Sequence, residues 1–163
     1  MKKMIAIAFC FISSVSNAQT EPIKLYHPDA DARKDIKAAV KKAKAENKYV
    51  LIQSGGNWCT WCIEFVKFCK ADPKIDSVMG ASFVTYFLNT SKENKNDKTF
   101  AKYDYPQRFG FPVFIVLNQK GKRIHTQNSI YFEDGKKSYD KTRVLSFLEM
   151  WSPKALDPKM YVE

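Results

Sequence analysis

The stretch YVLIQSGGNWCTWCIEF, residues 49–65, constrains the fold more than any other part of this chain. Residues 49–54 are an apolar run of strand length, and the glycines at 55 and 56 end it. From Cys59 the apolar spacing turns helical through Cys62, Phe65, Val66 and Cys69. The reading is a buried strand, a turn, and a helix whose first residues hold a Cys-x-x-Cys pair.

The flanking sequence extends this unit into an α/β domain. Residues 29–48 carry Ile36, Ala39, Val40 and Ala43 at helical spacing, with Asp29 or Asp31 as the cap. Residues 81–89, ASFVTYFLN, are β-branched and aromatic and predict a second strand of core residues. A polar, helix-compatible segment spans 96–109, and PVFIVLNQKGKRIHTQ predicts two antiparallel strands joined at the NQKG turn. Residues 138–151 place Val144, Leu145, Leu148 and Trp151 on one helical face. The order α, β, α, β, α, β, β, α implies a central mixed β-sheet flanked by helices on both faces. No internal repeat or long linker interrupts it, so residues 19–163 read as a single domain.

The start of the chain reads differently. Lys2 and Lys3 precede an apolar run from Met4 to Ile12, and Ser16-Asn17-Ala18 offers a small-x-small cleavage site before Gln19. Residues 1–18 are therefore read as a secretory signal peptide, with the mature protein periplasmic or secreted. The run is too short to span a bilayer, so no stable membrane insertion is expected. Phe9 before Cys10 fits poorly with lipoprotein processing. Cleavage removes Cys10 and leaves Cys59, Cys62 and Cys69, an odd number in an oxidising compartment: one pair and one further thiol.

The formal charge of +10 loses two lysines with the signal. The remaining lysines are dispersed as solvated faces with no aromatic-interleaved basic motif, so nucleic acid is not an expected partner.

The Cys-x-x-Cys pair admits several chemistries. A c-type haem needs histidine after the second cysteine, and position 63 is isoleucine. A structural zinc site needs four ligands, and Cys69, His27 and His125 form no second spaced pair. A structural disulfide closing so short a loop stabilises little. Redox exchange is favoured. At a helix start the unpaired N–H groups and the macrodipole hold Cys59 partly as thiolate, the attacking form. Cys62, one turn on, lies within disulfide reach and is the resolving group.

At this level VLIQSGGNWCTWC, followed by RFGFPVFIVLNQKGK, resembles the thioredoxin superfamily, most closely its exported members with a WCxWC site. The resemblance covers residues 33–151. It implies a thioredoxin fold and thiol-disulfide oxidoreductase activity, with Cys59 exposed and Cys62 shielded. It also implies a cis peptide before Pro112, with the Phe111 backbone pairing with a substrate segment in strand-like fashion. No cofactor beyond the Cys59–Cys62 redox disulfide is implied, and no metal.

This chain departs from the family pattern at two places. The buried carboxylate of the strand before the active site is replaced by Gln53, and the lysine near it falls at Phe87. Proton handling at Cys62 then needs water or another group, with Glu64 as one candidate. Between the cysteines stand Thr60 and Trp61, which tune the thiolate and the potential. Trp58 reads equally as a wall contacting substrate and as a core anchor, and Trp61 as a client contact. Cys69 reads as a buried small apolar side chain, and His27 and His125 as surface residues.

The expected function is a monomeric, extracytoplasmic oxidoreductase that reduces disulfides of client proteins and is recycled by an unidentified redox partner. The alternative is a non-enzymatic binding module whose dithiol captures a soft metal such as Cu(I) or Zn, or holds clients without turnover.

Overall fold

The computed structural model describes residues 24–162; the expected signal segment and Cys10 lie outside them. Five α-helices and four strands are described: α1 (Ala32–Ala45), β1 (Tyr49–Gly55), α2 (Thr60–Ala71), α3 (Pro73–Ser82), β2 (Phe83–Asn89), α4 (Asp97–Lys102), β3 (Val113–Leu117), β4 (Arg123–Asn128) and α5 (Lys141–Met150). The sheet order is β2-β1-β3-β4, with β1 parallel to β2 and the other two pairings antiparallel. This is the mixed sheet that the order of elements implied.

Strand periodicity divides the core into two layers. Leu51 on β1 and Phe114 and Val116 on β3 pack with Phe65 of α2, Ile75 of α3 and Phe147 of α5. Val50, Ile52, Ile115 and Leu117 point the other way, onto Ile36 and Ala43 of α1 and Phe100 of α4. All five residues of β3 are buried, as a central strand covered on both faces requires. Gln53 shares the face of Leu51, which turns it toward α2.

Local chemistry sets the boundaries. Asp31 caps α1 by accepting from the Arg33 and Lys34 amides, which selects it over Asp29. The turn between β3 and β4 closes on Asn118, whose Oδ1 accepts from the Lys120 and Lys122 amides, with Gly121 at φ 72°.

Helix α3 was not foreseen. Asp72 caps it through the Lys74 and Ile75 amides, and Pro73 occupies its first turn, where a missing N–H costs nothing. The strand expected from residue 81 therefore begins at Phe83. The helical segment expected over 96–109 is also shorter. Asp104 and Tyr105 take positive φ of 58° and 55°, which breaks it into α4 and a 3-10 turn over Pro106–Phe109.

Candidate functional site

The Cys-x-x-Cys pair sits where β1 hands over to α2. Cys59 is the N-cap residue of α2, with extended backbone, and its Sγ accepts from the Cys62 amide at 3.2 Å. The Cys59 amide donates back to the Gly56 carbonyl at 3.0 Å, which closes the turn. Cys59 and Cys62 form a disulfide with Cα atoms 5.2 Å apart. Cys62 is fully shielded, as the resemblance implied, whereas Cys59, expected to be exposed, is buried with 6% of its surface remaining.

Both glycines before the motif are required by close approach. A methyl group at Gly55 would overlap Cys62 Sγ and stand 3.0 Å from the Tyr26 hydroxyl. At Gly56 it would meet the Trp58 ring and lie 2.8 Å from the Thr90 carbonyl. The Trp58 ring lies over the backbone there because its Nε1 donates to that same carbonyl at 2.7 Å.

Trp58 is 60% exposed, so of its two readings the structure removes the core anchor. Its ring meets Phe111 edge-on at 5.7 Å. The Phe111–Pro112 peptide is cis. Pro112 is buried and half-buried Phe111 packs on the cluster of Tyr26, Cys59 and Cys62. Trp58 and Phe111 wall a groove of about 410 Å³ that continues past Thr90, Lys92, Lys95 and Gln107. The Gln107 Oε1 is buried there without a hydrogen-bond partner.

Thr60 is exposed on the first turn of α2. Trp61, read from sequence as a client contact, is half-buried. Its ring lies edge-on to Tyr139 at 5.3 Å, and its carbonyl accepts from the Tyr139 hydroxyl at 2.9 Å. Helix α2 must turn this side chain toward the loop before α5, where Tyr139 already fills the layer.

Gln53 is 2% exposed and its amide nitrogen makes two hydrogen bonds of 2.9 Å, to the Cys62 carbonyl and to the Tyr26 oxygen. Its register partner on β2 is Phe87, so the two positions where the family carries opposite charges are adjacent and both neutral. Glu64 does not fill the gap: its carboxylate accepts from Ser138 Oγ at 2.7 Å.

Sequence reasoning missed Tyr26 and Asn57. Asn57 Oδ1 accepts from the Leu25 and Tyr26 amides at 3.0 and 3.1 Å, and its Nδ2 donates to the Tyr26 carbonyl at 2.8 Å. This strap carries Tyr26 into the site, where its ring meets Phe87 edge-on at 5.6 Å. Burial pushes the Tyr26 phenol well above its ordinary range, against a smaller opposing effect of the Gln53 hydrogen bond. The signal available in the sequence was indirect: the amide of a buried Gln53 needs hydrogen-bonding partners from elsewhere in the chain.

The other sequence candidates lie apart from the disulfide. Cys69 is free and buried in the α2–α3–α5 layer, and burial pushes its thiol up to about 12. His27 is exposed as expected, but His125 is half-buried and stacks on Trp151 at 4.0 Å, with burial lowering its pKa. Among the described residues no group of three or more His, Cys, Asp or Glu side chains is placed to hold a metal.

A buried strand leading into a helix capped by a disulfide, opposite a cis-proline, defines a thioredoxin-type site. The family model for a thioredoxin-like domain matches residues 36–134, and the chain belongs to that family. It is 29% identical over 80 residues to the thiol:disulfide interchange protein DsbD of Salmonella typhimurium, a match spanning 49% of this chain and 14% of that protein. The fold is similar to that of the disulphide isomerase from Xylella fastidiosa Temecula1, with a TM-score of 0.65, 24% identity, and 76% and 93% of the two chains covered. The oxidised C-terminal domain of Neisseria meningitidis DsbD matches with a TM-score of 0.50 and 17% identity over 73% and 95% of the chains. Family and site geometry together support a thiol-disulfide redox function.

Proposed function

We propose that this chain is an extracytoplasmic thiol-disulfide oxidoreductase that works as a reductase of client protein disulfides. The observation that carries the reading is the asymmetry of the pair: Cys59 at the helix cap keeps 6% of its surface and packs with Phe111, which walls the neighbouring groove, while Cys62 is fully covered. A client disulfide therefore meets Cys59 first.

The Cys59 thiolate, favoured by the amides of the first turn of α2, attacks one client sulfur. A Cys59–client disulfide forms and the first client thiolate leaves. Cys62 then attacks Cys59 Sγ, the mixed disulfide breaks, and the second client thiol departs. Two electrons have passed from the dithiol to the client, leaving Cys59–Cys62 oxidised. The client segment lies along the groove with its backbone against Phe111, and Pro112 removes a competing N–H donor there. Thr60 and Trp61, between the sulfurs, tune the potential.

Two features support reduction and export. The connection from β2 to β3 carries only α4 and a 3-10 turn among the described residues, without an inserted helical domain. The charged start, short apolar run and small-residue end of residues 1–18 support passage out of the cytoplasm, and hence a recycling partner there.

The reduction potential of the pair against glutathione tests the direction: a value near about −270 mV supports a reductase and one near about −120 mV an oxidant. Cys62→Ser is expected to accumulate client adducts on Cys59. Adducts on Cys69 alone would overturn the assignment, and stoichiometric Cu(I) or Zn on reduced protein without disulfide turnover would favour the binding module.

A further inference from the structure

Within the exchange reading proposed above, on which this inference rests, Cys62 must become a thiolate in a pocket closed to solvent. The family's carboxylate is absent, Glu64 is engaged with Ser138, and the cost of an unassisted buried thiolate is high.

The hydrogen bonding around Gln53 leaves one group available. The Cys62 carbonyl can only accept, so the NH2 end of the Gln53 amide must face it. The same nitrogen reaches the Tyr26 oxygen at 2.9 Å, so that oxygen is the acceptor of the pair. The phenolic hydrogen is left for another acceptor. The Tyr26 oxygen and Cys62 Sγ both face the small space over Gly55, where an added methyl would lie 3.0 Å from the first and overlap the second. In the disulfide form the two are not hydrogen-bonded; the sulfur is committed to Cys59.

We propose that the Tyr26 hydroxyl, oriented by Gln53 and carried in by the Asn57 strap, donates a hydrogen bond to the Cys62 thiolate as it resolves the mixed disulfide. Tyr26 keeps its own proton throughout. The proton lost by Cys62 ends on the departing client sulfur, the Cys59–client bond breaks, and the Cys59–Cys62 bond forms. A charge-assisted bond of this kind stabilises the thiolate more than a neutral one would, and the absence of water magnifies it.

Among the apolar residues packed on the cluster the Trp61 indole N–H is the other side-chain donor, and that ring is turned edge-on to Tyr139. Leu25, Trp61, Phe87 and Phe111 surround the cluster and do not titrate, so Tyr26 and Cys59 are its titratable members. The Tyr139 hydroxyl is given to the Trp61 carbonyl. Burial holds the Tyr26 phenol in its neutral, donating form.

The test follows the reaction of the reduced protein with a chromogenic aryl disulfide, which releases one coloured thiolate when Cys59 attacks and a second when Cys62 resolves. In Tyr26→Phe the second phase is expected to slow roughly tenfold at neutral pH, and the midpoint of its pH profile to rise by about one unit. Gln53→Met, which keeps the volume but frees the hydroxyl from its orienting donor, should move the same midpoint in the same direction. A purely structural role for Tyr26 would lower the melting temperature and leave both midpoints where they were, and that result overturns the proposal. If the wild-type protein shows no second phase at all, the exchange reading itself fails.

Discussion

Gly55 shows how one residue type is imposed by a neighbour rather than by its own backbone. Its φ is not in the left-handed region, yet a single methyl there would occupy the position of Cys62 Sγ. Gly55→Ala is therefore expected to destabilise the oxidised protein by about 1–3 kcal/mol through overpacking. The reduced protein, whose Cys62 side chain is free to rotate, should lose less. Denaturant midpoints of the two redox forms check this, and equal losses in both would contradict it. Gln53 is the converse case. Sequence comparison identified it as the replacement of an acid, but the structure supplied the reason a neutral amide suffices: its two donors are consumed by the Cys62 carbonyl and Tyr26.

The elements were readable wherever periodicity or a cap was strong. The short continuous apolar runs of β1 and β3 and the 3.6-residue spacing of α1 and α5 are local properties, and the structure places those elements within a few residues of the expected bounds. Helix α3 escaped because it has only Ile75 fully buried and is separated from α2 by Asp72 alone. Its Asp72-Pro73 start was nevertheless written in the sequence. Asp72 also pairs with Lys141 Nζ at 2.6 Å, which ties the start of α3 to the start of α5. That lysine, and then the Ile75 amide, hold the Asp72 carboxyl below its ordinary range. A carboxylate with a depressed folded-state pKa contributes stability above its unfolded value and loses it as pH falls through the folded one. Asp72→Asn should accordingly flatten the acid side of the stability profile while changing little at high salt, where the exposed ion pair is already screened. Chemical denaturation from neutral pH down through the carboxylate range measures it; an unchanged slope would count against the pairing.

Across the whole molecule the site depends on a segment that carries no recognisable motif. Residues 24–28 have no regular secondary structure, and Asn57 holds them against the active-site turn by three hydrogen bonds. Asn57→Ala is expected to raise amide exchange at Leu25 and Tyr26 by at least tenfold, since each loses its acceptor, and to slow the resolving step in the manner of Tyr26→Phe. Unaltered protection at those two amides would show that packing alone seats the segment.

The sequence by itself determined the strand–turn–helix unit, the redox pair at its junction, the mixed sheet and the absence of a buried acid, because each is encoded over a few neighbouring residues. Tertiary structure alone decided that Tyr26 reaches Gln53 across 27 positions, that the Tyr139 hydroxyl binds the Trp61 carbonyl across 78, and that Ser138 takes Glu64 across 74. Those pairings arise where side chains from distant segments compete for the same buried volume and the same few hydrogen-bonding groups. Such competition leaves no periodicity along the chain to read.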